Sequence, residues 1–129
     1  MNVSDANSVQ AEVERLRSLM WNKTFFVMHR KLLDATKIPP NALEHLQWII
    51  GLEKEGRVLA SGPAFQKDDA PRAGLTVFRV ASWDEAESLA RSDPFYRCGA
   101  VDFEVVRWQV TGGRMSMTFD FSDQTWSVD

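Results

Sequence analysis

Four strand-like runs and two amphipathic helical segments follow one another in the order β-α-β-β-α-β, and few architectures accept that order. The first run, Thr24 to Arg30 (TFFVMHR), is rich in β-branched and aromatic residues. After the punctuation of Lys37-Ile-Pro-Pro-Asn, the spacing predicts a helix from about Pro40 to Glu55. Its apolar stripe is Ala42, Leu43, Leu46, Ile49 and Ile50, and Gly56 is suited to end it. Arg57 to Ser61 reads as the second strand, closed by a tight turn at Ser61-Gly62-Pro63. A polar loop, Gln66 to Ala73, leads into the third strand, Gly74 to Val80. Ser82-Trp-Asp-Glu85 is a capping box that opens a second helix, which Asp93-Pro94 stops. Ala100 to Val110 is the fourth strand.

Two segments flank this unit. Val9, Val13, Leu16 and Met20 recur at helical spacing and predict an amphipathic helix over Ser8 to Met20. After Thr111-Gly-Gly-Arg114, the residues Met115, Met117, Phe119 and Phe121 alternate with polar ones, which predicts a strand or arm. The expected organisation is one domain over 1–129: an N-terminal helical extension to residue 22, a core over 24–110 and a C-terminal arm over 111–129. The fold class is therefore α+β, the ferredoxin-like split βαβ.

Composition excludes several classes. A net charge of −3 provides no basic footprint for nucleic acid or anionic lipid. One cysteine, Cys98, allows no intramolecular disulfide and no cysteine-based zinc cluster. No apolar run approaches a membrane span, and MNVSDANSVQAEVERLR lacks the apolar core of a signal peptide. A cytoplasmic protein without membrane or nucleic-acid partners is expected. Neither a GxxxxGK[ST] or GxGxxG phosphate loop nor a GxSxG elbow is present.

Right-handed crossovers bring the ends of particular elements to one edge. His29-Arg30, His45, Ser61-Gly62-Pro63 and Asp93-Pro94-Phe95 converge there. His45 lies at the border of its helix's apolar stripe and is expected to be half-buried. A lone histidine in such a place packs more often than it reacts. Asp93 falls on the buried face set by Ala86 and Ala90, so its carboxylate needs a partner. Two readings stay open: an Asx-type turn before Pro94, or a hydrogen bond from His45 that sets the imidazole tautomer. Arg30 is the best placed of Arg30, Arg79 and Arg107 to hold an anion. His29 alternates with Phe25 and Val27 and reads as a core histidine, Cys98 as a structural thiol. Trp48 is expected to pack against the N-terminal helix.

The stretches EHLQWIIGLEKEGRVLASGP, GLTVFRV and SWDEAESLARSDPFYRCGAVDFEVVRWQV resemble the YCII-related proteins over about Phe25 to Val110. The resemblance implies a dimeric α/β-barrel of two ferredoxin-like sheets. It also implies a His and an Asp in a cleft, which by motif are His45 and Asp93. Some members of the family act as dehydrochlorinases in aromatic-compound breakdown, and the wider superfamily contains muconolactone isomerase. The implied function is a cofactor-free, metal-free lyase or isomerase moving a proton on a small cyclic or aromatic, anionic metabolite. His45 and Asp93 would be catalytic, and Arg30, Ser61, Gly62, Pro63 and Phe95 would bind substrate, in a homodimer or larger homo-oligomer. The alternative is a non-catalytic binding module or an oligomeric interaction protein that uses the Met/Phe arm.

Overall fold

A computed structural model describes residues 3–128. The elements run α1 (Val3–Leu19), β1 (Lys23–Leu32), a single 3-10 turn (Ala35–Lys37), α2 (Ile38–Lys54), β2 (Val58–Phe65), β3 (Pro71–Phe78), α3 (Trp83–Arg91), α4 (Pro94–Arg97), β4 (Val101–Val110), β5 (Met117–Asp120) and β6 (Thr125–Val128). Four strands form one antiparallel sheet in the order β2-β3-β1-β4, with β5 and β6 as a separate hairpin. This is the ferredoxin-like order, reached as the sequence predicts.

The chain divides into two compact units, 24–109 and the two flanking segments together. In the first, Phe26 and Met28 of β1 face Phe78 and Thr76 of β3 in register. Phe26, Met28 and Phe78 pack with Leu52, Ala86 and Ala90 to make the core between sheet and helices. Phe103 and Val105 of β4 and Trp48 of α2 close around it.

The capping signals operate as read, with one refinement. Ser82 Oγ accepts from Glu85 N–H at 3.2 Å, while Glu85 Oε2 reaches Ala81 N–H at 3.4 Å. Gly56 follows α2 with φ +75°, a conformation cheap for glycine alone. Pro39 and Pro40 stand in the first turn of α2, where a missing N–H costs nothing.

Several expectations are corrected. Ser61-Gly62-Pro63 is not a tight turn. It continues β2, with register irregularities between Val58 and Ala60 and between Gly62 and Ala64. Proline tolerates this because β2 is an edge strand. The polar loop shrinks accordingly, since β3 already begins at Pro71. His29 is exposed rather than part of the core. The helix-facing set of β1 is Phe26, Met28 and Arg30, and His29 stands on the other face opposite Leu75. Trp48 packs on the core around Phe78, ring centroids 6.4 Å apart.

The apolar stripe of α2 is also not its buried face. Leu43, Leu46 and Ile50 are 69%, 53% and 50% exposed, whereas Leu52 is buried and His45, Trp48 and Ile49 are half-buried. The helix turns His45 and Trp48 toward the sheet.

The flanking unit holds α1, which ends where the Asn22 amide donates to the Arg17 carbonyl at 2.8 Å. Its C-terminal part is a hairpin rather than one strand or arm. Asp123 Oδ1 accepts from Thr125 N–H and Oγ1–H, and Gln124 takes φ +58°. Met117 pairs with Val128 and Phe119 with Trp126, so the alternation places these apolar residues on one face.

Gly74 is a position in the core unit where packing requires glycine. A Cβ there would overlap the Gly62 carbonyl across the β2–β3 pair, whereas a Cβ at Gly62 meets open space. Gly74→Ala should therefore cost about 1–3 kcal/mol, the scale of overpacking against backbone. Gly62→Ala should stay within about 0.5 kcal/mol of the wild type. Urea unfolding of the two variants checks this, and equal midpoints would contradict the packing described.

Candidate active site

The site grows from Asp93, which completes the series Ala86, Ala90, Asp93 along the buried side of α3; all three have no solvent exposure. Pro94 cannot extend α3, so the chain turns and Asp93 becomes the N-cap of α4. Its Oδ1 accepts the Phe95 N–H at 3.0 Å. The same oxygen lies 2.7 Å from His45 Nδ1. Its Oδ2 accepts from Arg30 Nε at 2.7 Å. Both sequence readings of Asp93 thus hold together: it caps locally and it bonds the histidine.

Burial acts to push the Asp93 carboxyl up. The His45 hydrogen bond and the Arg30 charge outweigh it, and the group is held below the ordinary carboxylate range. As a carboxylate, Asp93 receives a proton-bearing Nδ1 from His45, and Nε2 is the ring nitrogen left for other partners. Phe95 stacks on the imidazole at 4.0 Å with planes 13° apart, so the ring is gripped on its face and at its edge.

Arg30 is buried, contrary to the usual habit of arginine. Its guanidinium carbon stands 6.0 Å from the Trp48 ring centroid. Trp48 is itself tied down by donating Nε1–H to Ser92 Oγ at 2.9 Å. Arg30 Nη2 is buried without a hydrogen-bond acceptor.

Arg30, His45 and Phe95 open on a cavity of about 650 Å³ between α2 and the β2–β3 pair. Ser61, Gly62 and Pro63 line it as well, so of the residues expected to be catalytic or to bind substrate all border the cavity except Asp93, which stands behind His45. Ser61 does so with its hydroxyl 2.7 Å from Thr76 Oγ1. The rest of the wall is largely aliphatic, with Ile38, Leu46, Ile49 and Leu59 prominent. The sequence reading did not foresee this wall, although the stripe Leu46, Ile49 and Ile50 was its signal. Trp48 as a partner of Arg30 was also missed, because only the tertiary packing joins them.

Arg79 and Arg107 are exposed, and Arg79 lies over the Phe25 ring at 5.7 Å. Cys98 is half-buried with Sγ 3.4 Å from the Phe95 carbonyl, which suits a structural thiol. Among the described residues, no three His, Cys, Asp or Glu side chains gather in a way that could hold a metal ion. No helix among them is long and apolar enough to cross a membrane.

Sheet order and cleft together define a ferredoxin-like α+β protein with a histidine–aspartate–arginine cluster on a cavity. The model of the YCII-related domain matches residues 24–109, and the chain belongs to that family. A similar solved structure is the 5-chloro-2-hydroxyhydroquinone dehydrochlorinase of Burkholderia phenoliruptrix AC1100, in complex with 2,5-dihydroxybenzoquinone. It is 24% identical, with a TM-score of 0.55 over 65% of this chain and 92% of that one. The likeness bears on the fold. No curated protein sequence matches the chain.

The cluster has a stability signature. Removing one partner of a buried ion pair leaves the other uncompensated, so Asp93→Asn should cost about 3–5 kcal/mol. Because the folded value of Asp93 is lowered, its titration stabilises the fold fully above the ordinary carboxylate value of about 4. That contribution is lost as pH falls through the lowered value. Denaturant unfolding of wild type and Asp93→Asn from pH 7 to pH 2 should show a gap that is constant above about 4 and narrows below it. A gap that widens toward acid would contradict the assignment.

Proposed function

We propose that the protein is a cofactor-free lyase or isomerase that moves a proton on a small cyclic or aromatic metabolite. The observation that carries this is the His45–Asp93 contact of 2.7 Å beside a cavity of about 650 Å³. A carboxylate on Nδ1 keeps the proton there and leaves Nε2 as the ring nitrogen that can accept one. His45 Nε2 takes a proton from a carbon or hydroxyl of the substrate. The released electron pair forms a double bond and either expels a leaving group or is reprotonated elsewhere on the ring. Asp93 stabilises the imidazolium formed, and the stack on Phe95 fixes the plane in which Nε2 works.

Dehydrochlorination by the structural neighbour is one reaction of this form, and it supports the reading by analogy of fold. The reading also includes a cytoplasmic homodimer or larger homo-oligomer. Leu75 and Trp108, large apolar residues exposed on the sheet, support it.

A turnover screen over hydroxyquinols, chlorinated hydroxyquinols, lactones and aromatic acids tests the proposal. For any compound transformed, His45→Ala should lose about 10²–10⁴-fold in kcat, the usual contribution of a general base. Asp93→Asn should lose activity in the same sense. Full activity of His45→Ala on such a compound would reject the histidine as base.

A second reading rests on the C-terminal hairpin, where Met117, Phe119, Phe121 and Trp126 are all exposed. Here the protein holds a metabolite or a partner without transforming it. Deletion of residues 115–129 that abolished partner binding while His45→Ala had no effect would favour this reading.

A further inference from the structure

We infer that the cavity is built for an amphipathic anion: a carboxylate or enolate head set against Arg30 and His45, with an alkyl-bearing body larger than one hydroxylated ring. The inference rests on the cavity being the substrate site, and it deepens that reading by naming the substrate class.

Charge comes first. The side chains lining the cavity include Arg30 and Arg72 against a single acid, Glu53. Asp93, the acid that would neutralise Arg30, does not line the cavity; it is fully buried behind His45. The cavity thus meets Arg30 and His45 directly, with their shared carboxylate behind them. Arg30 spends Nε on Asp93, and its buried Nη2 has no acceptor. Arg30 nonetheless borders the cavity, and a guanidinium there favours an oxyanion on a ligand.

The shape of the polar lining comes second. Arg30 and His45 sit together beside Phe95, because Asp93 ties both to one carboxylate. Ser61 brings a hydroxyl to the wall, and it is already engaged with Thr76 Oγ1 and the Leu75 carbonyl. The rest of the lining is mostly aliphatic, with Ile38, Leu46, Ile49, Val58 and Leu59, interrupted by Glu53 and Arg72. A ring carrying hydroxyls around its edge would turn several of them against aliphatic carbon, where each would lose water without gaining a partner. A body with an alkyl extension would cover that carbon instead. The volume of about 650 Å³ falls within the range of drug-sized ligands and exceeds what one six-membered ring fills.

This also accounts for the turn of α2. Leu46 and Ile50 are half-exposed although apolar, and both border the cavity. Their exposure leaves apolar surface that a ligand tail would cover.

Calorimetric titration of the full chain decides the matter. The probes are benzoate and its para-ethyl, para-butyl and para-hexyl derivatives, each beside its methyl ester. Kd should fall about two- to fourfold per added methylene, as burial of alkyl surface requires. The methyl esters should bind at least about tenfold more weakly than the acids, since they carry no charge for Arg30. Ala42→Trp, which fills the cavity from α2, should flatten the dependence on chain length. The inference is overturned if no para-alkylbenzoate binds or if Kd is flat along the wild-type series. Esters that match the acids would overturn it too, as would 2,5-dihydroxybenzoquinone binding more tightly than para-hexylbenzoate. The wild-type series decides even if Ala42→Trp does not fold. A flat series would leave the turnover test of His45→Ala untouched, so the two readings fail separately.

Discussion

One carboxylate joins three parts of the core unit. Asp93 accepts from Arg30 on β1, from His45 on α2 and from the backbone of α4, and it does so with no solvent contact. A buried carboxylate is costly unless its lone pairs are answered, and here the answers come from separate elements. The sheet, the long helix and the turn after α3 are therefore held in mutual register by the same atoms that set the histidine tautomer. Such an arrangement is not chosen for stability alone, because a well-packed apolar cluster of similar volume would serve as well or better. The same carboxylate commits Nδ1 of His45, whose ring borders the cavity.

The second constraint is the orientation of α2. Packing its most apolar stripe onto the sheet would have filled the space that is now the cavity. The helix instead packs Trp48 and Leu52 on the core and leaves Leu46, Ile49 and Ile50 to form a wall. Trp48 then serves two ends, filling the core around Phe78 and lying near the Arg30 guanidinium. Ser92, by accepting from Trp48 and donating to the Leu89 carbonyl, links this packing to the end of α3, one residue before Asp93.

Much of this was legible in the chain. The capping box at Ser82, the glycine after α2 and the proline after Asp93 are local signals, and their physics is local as well. The convergence of Arg30, His45, Ser61 and Asp93 followed from element order and crossover handedness, which need no knowledge of packing. The burial of Asp93 followed from its spacing to Ala86 and Ala90. What escaped were features that depend on which surface an element meets. His29 read as buried because it alternates with Phe25 and Val27, yet alternation names a face and not what covers each place on it. Gly62-Pro63 read as a turn because those residues favour turns, yet an edge strand accepts proline and a bulge equally well.

The amino-acid sequence by itself determined the order of the core elements, the ends of α2 and α3 to within about two residues, the family and the set of polar residues that meet at one edge. It could do so because caps, breakers and period-two or helical spacing act within a few residues, and because chirality restricts how successive elements connect. Only the tertiary structure decided which oxygen of Asp93 serves which partner, that Arg30 is buried with Nη2 unanswered, and that α2 spends its apolar stripe on a cavity wall. Those outcomes depend on the rotation of α2 about its own axis relative to the sheet. That rotation is set by the sum of contacts from Trp48, Leu52 and His45 to residues distant in the chain, a quantity that no local pattern contains.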